Sequence, residues 1–449
     1  MKKIYLFLCI TLIAVLTSCS EQTSGENDVV KIWWYKYNQR NLHNYVIEAA
    51  IDKIKYQAEL DDIEIDIKQF LESDLSYNDY ILKRNLAIEH NELDMAFDQG
   101  ESLYVLRDKA GSYDRMKNYE NVFDNFKNLH CIPLCTDLRV NFINNDVLIK
   151  YGIEPENVIT LDEYYDIKQR IKESGAVFKI NEGEFKELID YYYRKKGLKI
   201  LKDEKGVYVD KDALLAALNE LTEDIKNNYD YEYLINNENN FEYRIVEEKS
   251  GYEFSGLDYN YMAVNYEDFS INRPAIENST IVVWDSNCND FYAYSHFVMP
   301  CLFITQNSKS DNVYTLADTL LSDGFQISLY NKIGGGVITS LNSHRDLIGF
   351  DEDWNYVGVK NLTDENENKV SLKIYPAKEE EKLYEVLTKG YEIVRSMDME
   401  YFYFSVKYYW SLYNFIANTT IAALNDEKTL DDFDKMADDF IINLNISGN

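Results

Sequence analysis

Val29-Val30-Lys31-Ile32-Trp33-Trp34 is a β-branched and aromatic run of the kind that forms a strand. The segments after it decide the fold. Apolar residues at helical spacing run from Leu42 to Leu60, and Ile63-Glu64-Ile65-Asp66-Ile67 then alternates apolar and acidic residues as a half-exposed strand does. A second helical stretch covers Tyr77 to His90, and Leu93-Asp94-Met95-Ala96-Phe97 makes a third strand. Strand, helix, strand, helix, strand at this spacing predicts a parallel sheet with crossover helices, and so an α/β fold.

Downstream, Pro133 to Asn144 reads as extended chain. Leu161 to Ser174 reads as a helix with Thr160 as N-cap, Glu163 closing a capping box and Gly175 as a stop. Glu182 to Asn228 is mostly helical, broken by the solvated turn Lys202-Asp203-Glu204-Lys205-Gly206. Asn236 to Asn240 is a polar loop, and Thr280 to Trp284 and His296 to Thr305 are strands. Val313 to Leu321 is helical, Gly334 to Gly336 and Asp351 to Glu367 are loops, and three helices close the chain over Lys378–Met397, Phe404–Leu424 and Leu430–Leu444. At 449 residues the chain has room for two or three domains of about 100–200 residues each.

The residues upstream of Val29 bear on destination. Lys2 and Lys3 precede an apolar run from Ile4 to Leu16, with small residues after it: the layout of a secretory signal. The run is shorter than the roughly 20 residues a membrane span needs. Leu16-Thr17-Ser18-Cys19 resembles the lipobox of bacterial lipoproteins. That resemblance implies cleavage before Cys19, acylation there (palmitate among the acyl chains) and a mature protein held at the outer face of the cell membrane. Residues 1–18 are then the signal, and 19–28 the lipidated cysteine with a flexible polar linker.

Acids outnumber bases 78 to 46, for a formal charge of −32. Such a surface repels phosphate backbones and anionic lipid alike, which argues against nucleic-acid partners and leaves membrane attachment to the acyl anchor. The 38 tyrosines supply ring faces with a polar handle, which suit amphipathic solutes such as sugars and also ordinary packing. Of six cysteines, Cys131, Cys135, Cys288 and Cys301 lie beyond the signal and the lipobox; they can form disulfides in any of three pairings or stay as buried thiols. There is no H-E-x-x-H, P-loop, G-x-S-x-G or EF-hand loop. His130, Cys131 and Cys135 are spaced poorly for zinc, so no metal or cofactor is expected.

Pro133-Leu134-Cys135-Thr136-Asp137-Leu138-Arg139, Phe142-Ile143-Asn144-Asn145-Asp146-Val147-Leu148, Tyr151-Gly152-Ile153-Glu154-Pro155 and Thr160-Leu161-Asp162-Glu163-Tyr164 together resemble the crossover segment of bacterial extracellular solute-binding proteins of family 1, the sugar-transporter class. Ile143, Asn145 and Leu161 stand where that family has Tyr, Lys and Trp. Asn78 to Asp94, Phe303 to Gln326 and Ala422 to Leu444 resemble further family segments in the same order, although Asn91-Glu92-Leu93-Asp94 lacks the usual Gly and Pro.

The resemblance implies a two-lobed periplasmic-binding-protein-like fold (type II), each lobe a sheet flanked by helices with a ligand cleft between. Lobe 1 would comprise 29–137 plus 296–345 and lobe 2 138–295 plus 346–449. It implies a non-enzymatic, monomeric receptor that captures a small solute, a carbohydrate such as an oligosaccharide, and delivers it to the permease subunits of an ABC importer. Ligands of open α/β sheets sit beyond the carboxyl ends of strands. That singles out Trp34, Tyr35, Tyr37 and Asn38 after the first strand, and Asp98, Gln99 and Glu101 after the third. Family positions add Asp137 with Arg139 at the crossover, Tyr252, Phe254, Tyr259 and Tyr261 in the second lobe, and Trp410 with Tyr413 near the end. Two other readings fit the same residues: a sensor or adhesin on this scaffold, and an anchored carbohydrate-active enzyme using a carboxylate pair.

Overall fold

The computed structural model describes residues 29–38, 42–127, 129–138, 141–174, 178–180, 182–203, 206–231, 255–256, 279–283, 297–322, 324–326, 329, 337–339, 362–363, 369–370, 385, 388–389, 391–425 and 430–447. The chain opens with β1 (Val30–Lys36), α1 (Leu42–Leu60), β2 (Ile65–Leu71), α2 (Tyr77–Glu89), β3 (Met95–Gln99) and the short α3 (Gly100–Tyr104). It continues through β4 (Ile132–Pro133), β5 (Cys135–Leu138), β6 (Asn141–Asn144), α4 (Asn145–Lys150), β7 (Val158–Thr160) and α5 (Leu161–Glu173). Next come β8 (Phe178–Lys179), α6 (Glu182–Lys195), β9 (Ile200–Asp203), β10 (Gly206–Val209), α7 (Lys211–Asn228), β11 (Tyr229–Asp230), β12 (Ser255–Gly256) and β13 (Ser279–Val283). Further along lie β14 (Phe297–Val298), β15 (Pro300–Ile304), α8 (Asp311–Asp318), β16 (Val337–Thr339), the short antiparallel pair β17 (Leu362–Thr363) and β18 (Lys369–Val370), α9 (Met399–Leu424) and α10 (Leu430–Ser447).

One lobe is built on a five-stranded sheet in the order β2-β1-β3-β15-β4. β1 pairs in parallel with β2 and β3, as the spacing predicts, while β15 returns from far along the chain to pair antiparallel with β3 and β4. Val30, Ile32, Trp33, Trp34 and Tyr35 are all buried, which is the pattern of a central strand covered on both faces. Trp33 packs on Phe70 at 5.0 Å. Trp34, expected at the cleft edge, is 4% exposed; of the seven residues of β1 only Lys31 is exposed to solvent.

The other lobe carries the sheet β12-β6-β13-β7 and helices α5, α6 and α7, with α9 and α10 packed against α7. Thr160 caps α5 and Glu163 completes the capping box, as read from the sequence. Lys172 of α5 and Asp224 of α7, both nearly buried, pair at 2.7 Å. The turn expected inside the Glu182–Asn228 helical region is the tip of a hairpin, β9–β10. Its alternating Ile200, Val207 and Val209 face the core, and a strand of four residues is too short to outweigh the helical pattern around it.

Between the two sheets the chain crosses. β5 comes one residue after β4 and β14 precedes β15 by one, and the two pair antiparallel, with β16 on the other side of β5. These three strands form a narrow sheet of their own, β14-β5-β16. Among the described residues no helix is long and apolar enough to cross a membrane.

Candidate ligand-binding site

Parallel pairing sets the carboxyl ends of β1, β2 and β3 at one edge, and β4 leaves that edge directly into the crossing strand β5. The edge is formed by Tyr37 and Asn38 after β1, Glu72 after β2, and Gln99 with Glu101 at the end of β3 and the start of α3. Asn44 of α1 pins the first loop: its Oδ1 accepts from the Tyr37 N–H at 3.0 Å and its Nδ2 donates to the Tyr37 carbonyl at 2.8 Å. The Asn38 N–H donates to the Glu72 carboxylate at 2.6 Å, tying the β1 loop to the end of β2.

Behind this edge lies a ring cluster. Tyr37 sits 5.1 Å from Tyr35 and 5.5 Å from Tyr77, with His43 edge-on at 5.1 Å. Tyr35 is fully buried, and its hydroxyl donates to the Leu75 carbonyl at 2.9 Å. Beneath the rings is an ion pair between Arg84 and Asp98, both 0% exposed. Asp98 Oδ1 also accepts from the Tyr77 hydroxyl and the Gln99 N–H, each at 2.8 Å. Arg84 Nη2 donates to the Ser102 carbonyl at 2.8 Å and to Asn85 Oδ1 at 3.0 Å.

Burial is the first cause of every titration shift at the edge. It pushes the Tyr37 and Tyr77 phenols above their ordinary range, and the nearby Asp98 charge pushes in the same direction. Burial brings His43 down to about 4 against the opposing pull of Asp98. The phenols and the imidazole are therefore neutral at physiological pH. With the Gln99 and Asn38 side chains, Tyr37 offers a ring face and uncharged hydrogen-bonding groups, the chemistry that recognises a polyhydroxyl solute.

The structure therefore sorts the predicted residues. Tyr37, Asn38, Gln99 and Glu101 stand together at the edge, none of them buried. Trp34, Tyr35 and Asp98 are buried in the lobe, and both Asp98 oxygens accept hydrogen bonds from groups within it. Tyr413 is likewise enclosed in α9, stacked on Tyr409 at 6.1 Å. Asp137 lies on β5, where its backbone pairs with Val298 and Val337, and Trp410 lies on α9. Arg139, Tyr252, Phe254, Tyr259, Tyr261 and Cys19 lie outside the described residues.

Sequence reasoning missed Tyr77, Arg84, Asn44 and Ser102. A signal for Arg84 existed. Tyr80, Arg84, Ala87 and Ile88 share the buried stripe of α2, and a cation at a core position of a helical stripe requires a buried anion opposite.

A separate groove of about 660 Å³ runs between the segment after α3 and the start of α9, lined among others by Tyr104, Arg107, His130, Asp398 and Glu400. There the Asn125 side chain holds the Val394 and Met397 carbonyls at 2.7 and 3.2 Å. Cys131, Cys135 and Cys301 are buried, and Cys288 lies outside the described residues. Among the described residues no three His, Cys, Asp or Glu side chains are placed to hold a metal ion.

No protein-family model matches the sequence, and no curated protein matches it. Solved structures do, over nearly the whole chain. The cyclic α-maltosyl-1,6-maltose binding protein of Arthrobacter globiformis superposes with a TM-score of 0.55 at 14% identity, covering 93% of this chain and 99% of its own. This chain has the fold of the two-lobed solute-binding proteins. A family 1 extracellular solute-binding protein of Alicyclobacillus acidocaldarius gives 0.53 at 11% identity, covering 95% and 99%. A periplasmic solute-binding protein of Pectobacterium atrosepticum gives 0.52 at 11%, covering 93% and 98%. The β14-β5-β16 sheet follows directly on β4 and precedes β15, so its strands continue from the carboxyl edge of the first sheet.

Proposed function

We propose that this chain is a lipid-anchored extracellular solute-binding protein that captures a carbohydrate between its lobes and delivers it to an ABC importer. The observation that carries this reading is the carboxyl edge of the first sheet. It is walled by Tyr37, Gln99, Asn38 and Glu101, and it stands beside crossing strands in a fold shared with a protein that binds a cyclic maltosyl-maltose. Catalysis has no part in the reading. The β5, β14 and β16 pairings support lobe boundaries near residues 137, 296 and 345. Solute that bridges both walls stabilises the closed form of the hinge, and the importer reads that form. The opposite wall is assigned to Trp410, Asp137, Arg139 and the tyrosine-rich segment at 252–261. Attachment is assigned to Cys19, with 20–28 as the tether.

The test is a pair of fluorophores at exposed Glu89 and Glu173, one on each lobe, read during titration with neutral oligosaccharides of two to seven units. A saturable change in transfer efficiency with at least one sugar is expected. No change with any of them, together with no heat of binding by calorimetry, refutes the carbohydrate reading.

A further inference from the structure

Arg84 and Asp98 are fully buried, yet their hydrogen bonds converge on a turn at the carboxyl edge. Arg84 Nη1 donates to Asp98 Oδ2 and, at 3.1 Å, to Ser102 Oγ; Nη2 donates to the Ser102 carbonyl at 2.8 Å. Ser102 Oγ passes the bond on to the Gln99 carbonyl at 2.9 Å. Asp98 takes the Gln99 N–H and the Tyr77 hydroxyl, both at 2.8 Å. The Gln99–Ser102 turn is thus gripped at three backbone groups from beneath. The Tyr77 ring, held by the same carboxylate, backs Tyr37, and Gln99 Nε2 points at the Tyr37 hydroxyl at 3.5 Å.

A buried ion pair contributes little net stability compared with apolar residues of the same volume, so stability alone does not call for one here. What the pair supplies is direction. A planar guanidinium can address a carboxylate, a hydroxyl and a carbonyl at once, which a lysine ammonium on a flexible stem cannot. We propose that Arg84 is a positioning residue for solute capture, holding the Gln99–Ser102 turn and the Tyr37–Tyr77 ring pair in the arrangement that meets the solute. The proposal rests on the solute-binding reading above.

Arg84→Lys is the discriminating variant, because it keeps the buried cation beside Asp98 and removes the grip on Ser102. Using the whole mature chain, amide exchange at Gln99 is expected to speed up about tenfold, on the scale of one lost charge-assisted hydrogen bond, while β1 amides keep their protection. Titration with maltotriose through maltoheptaose is expected to show about tenfold weaker binding. In that background Gln99→Ala is expected to cost much less affinity than it does alone, since a residue acting through the turn couples to it. Wild-type exchange at Gln99 overturns the proposal, and so do additive losses in the double variant. A wild-type protein that binds none of these sugars refutes the carbohydrate reading instead, and exchange at Gln99 then decides the positioning role alone. Should Arg84→Lys fail to fold, Ser102→Ala removes only the hydroxyl between Arg84 and the Gln99 carbonyl. An unchanged Gln99 amide in that variant overturns the proposal.

Discussion

Acid should weaken the first lobe through His43. The imidazole is 1% exposed and wedged edge-on against Tyr37. Burial brings its pKa down to about 4 from 6.5, against the opposing effects of Asp98 and the Tyr35 backbone. The unfolded chain therefore binds a proton that the folded lobe refuses, throughout the interval from about 6.5 down to about 4. The stability at stake is fully present above the unfolded value and is lost as pH falls toward the folded one. At about 1.4 kcal/mol per unit the whole interval amounts to roughly 3 kcal/mol, of which about 2 kcal/mol is lost between pH 7 and pH 5. Urea unfolding monitored by tryptophan emission reports on this lobe, because Trp33 and Trp34 lie in its central strand. The comparison is with His43→Phe, which keeps a ring against Tyr37 and cannot titrate. The wild type should lose about 2 kcal/mol more than His43→Phe between pH 7 and pH 5. Equal losses in the two proteins would refute the assignment of the acid sensitivity to His43.

Single contacts give the other expected outcomes. Asp98→Asn places an amide donor against the donors of either Arg84 or Tyr77 and Gln99, and leaves the guanidinium buried without its anion. Urea titration should show a loss of about 3–5 kcal/mol, and a loss below about 1 kcal/mol would mean that the pair is not buried as described. Thr160→Ala removes the cap of α5 and should cost about 1 kcal/mol by the same assay, with no effect on solute affinity. Cys19→Ala should move the protein from the membrane fraction to the medium or periplasm; an unchanged membrane fraction would remove the lipid anchor from the account.

Local regularities were legible in the chain. The helix over Leu42–Leu60 and the capping box at Thr160 and Glu163 were found where the sequence placed them, because repeated apolar spacing and cap chemistry are short-range properties. The hairpin at 200–209 was not legible, since strands of four residues carry too few side chains to outweigh the helical periodicity on either side. At the candidate site the sequence placed Tyr37, Asn38, Gln99 and Glu101 at strand ends correctly, because which residues come after a strand is a local matter.

Exposure is a different kind of property. Trp34, Tyr35 and Asp98 sit one to three residues from residues that are open to solvent, and only the layers packed over the sheet decide that they are closed. Arg84 and Asp98 are 14 residues apart, and nothing local marks them as partners. The sequence by itself determined the strand–helix alternation of the first lobe, the cap of α5 and the acidic character of the chain. The tertiary structure alone decided which strand-end side chains face outward and that β15, some 200 residues downstream, inserts between β3 and β4; the family resemblance implied only that this segment returns to the first lobe. It alone decided that a buried arginine grips the turn at Gln99. The division has a physical cause: periodicity and capping act over a few residues, whereas burial and ion pairing depend on what long-range packing brings together.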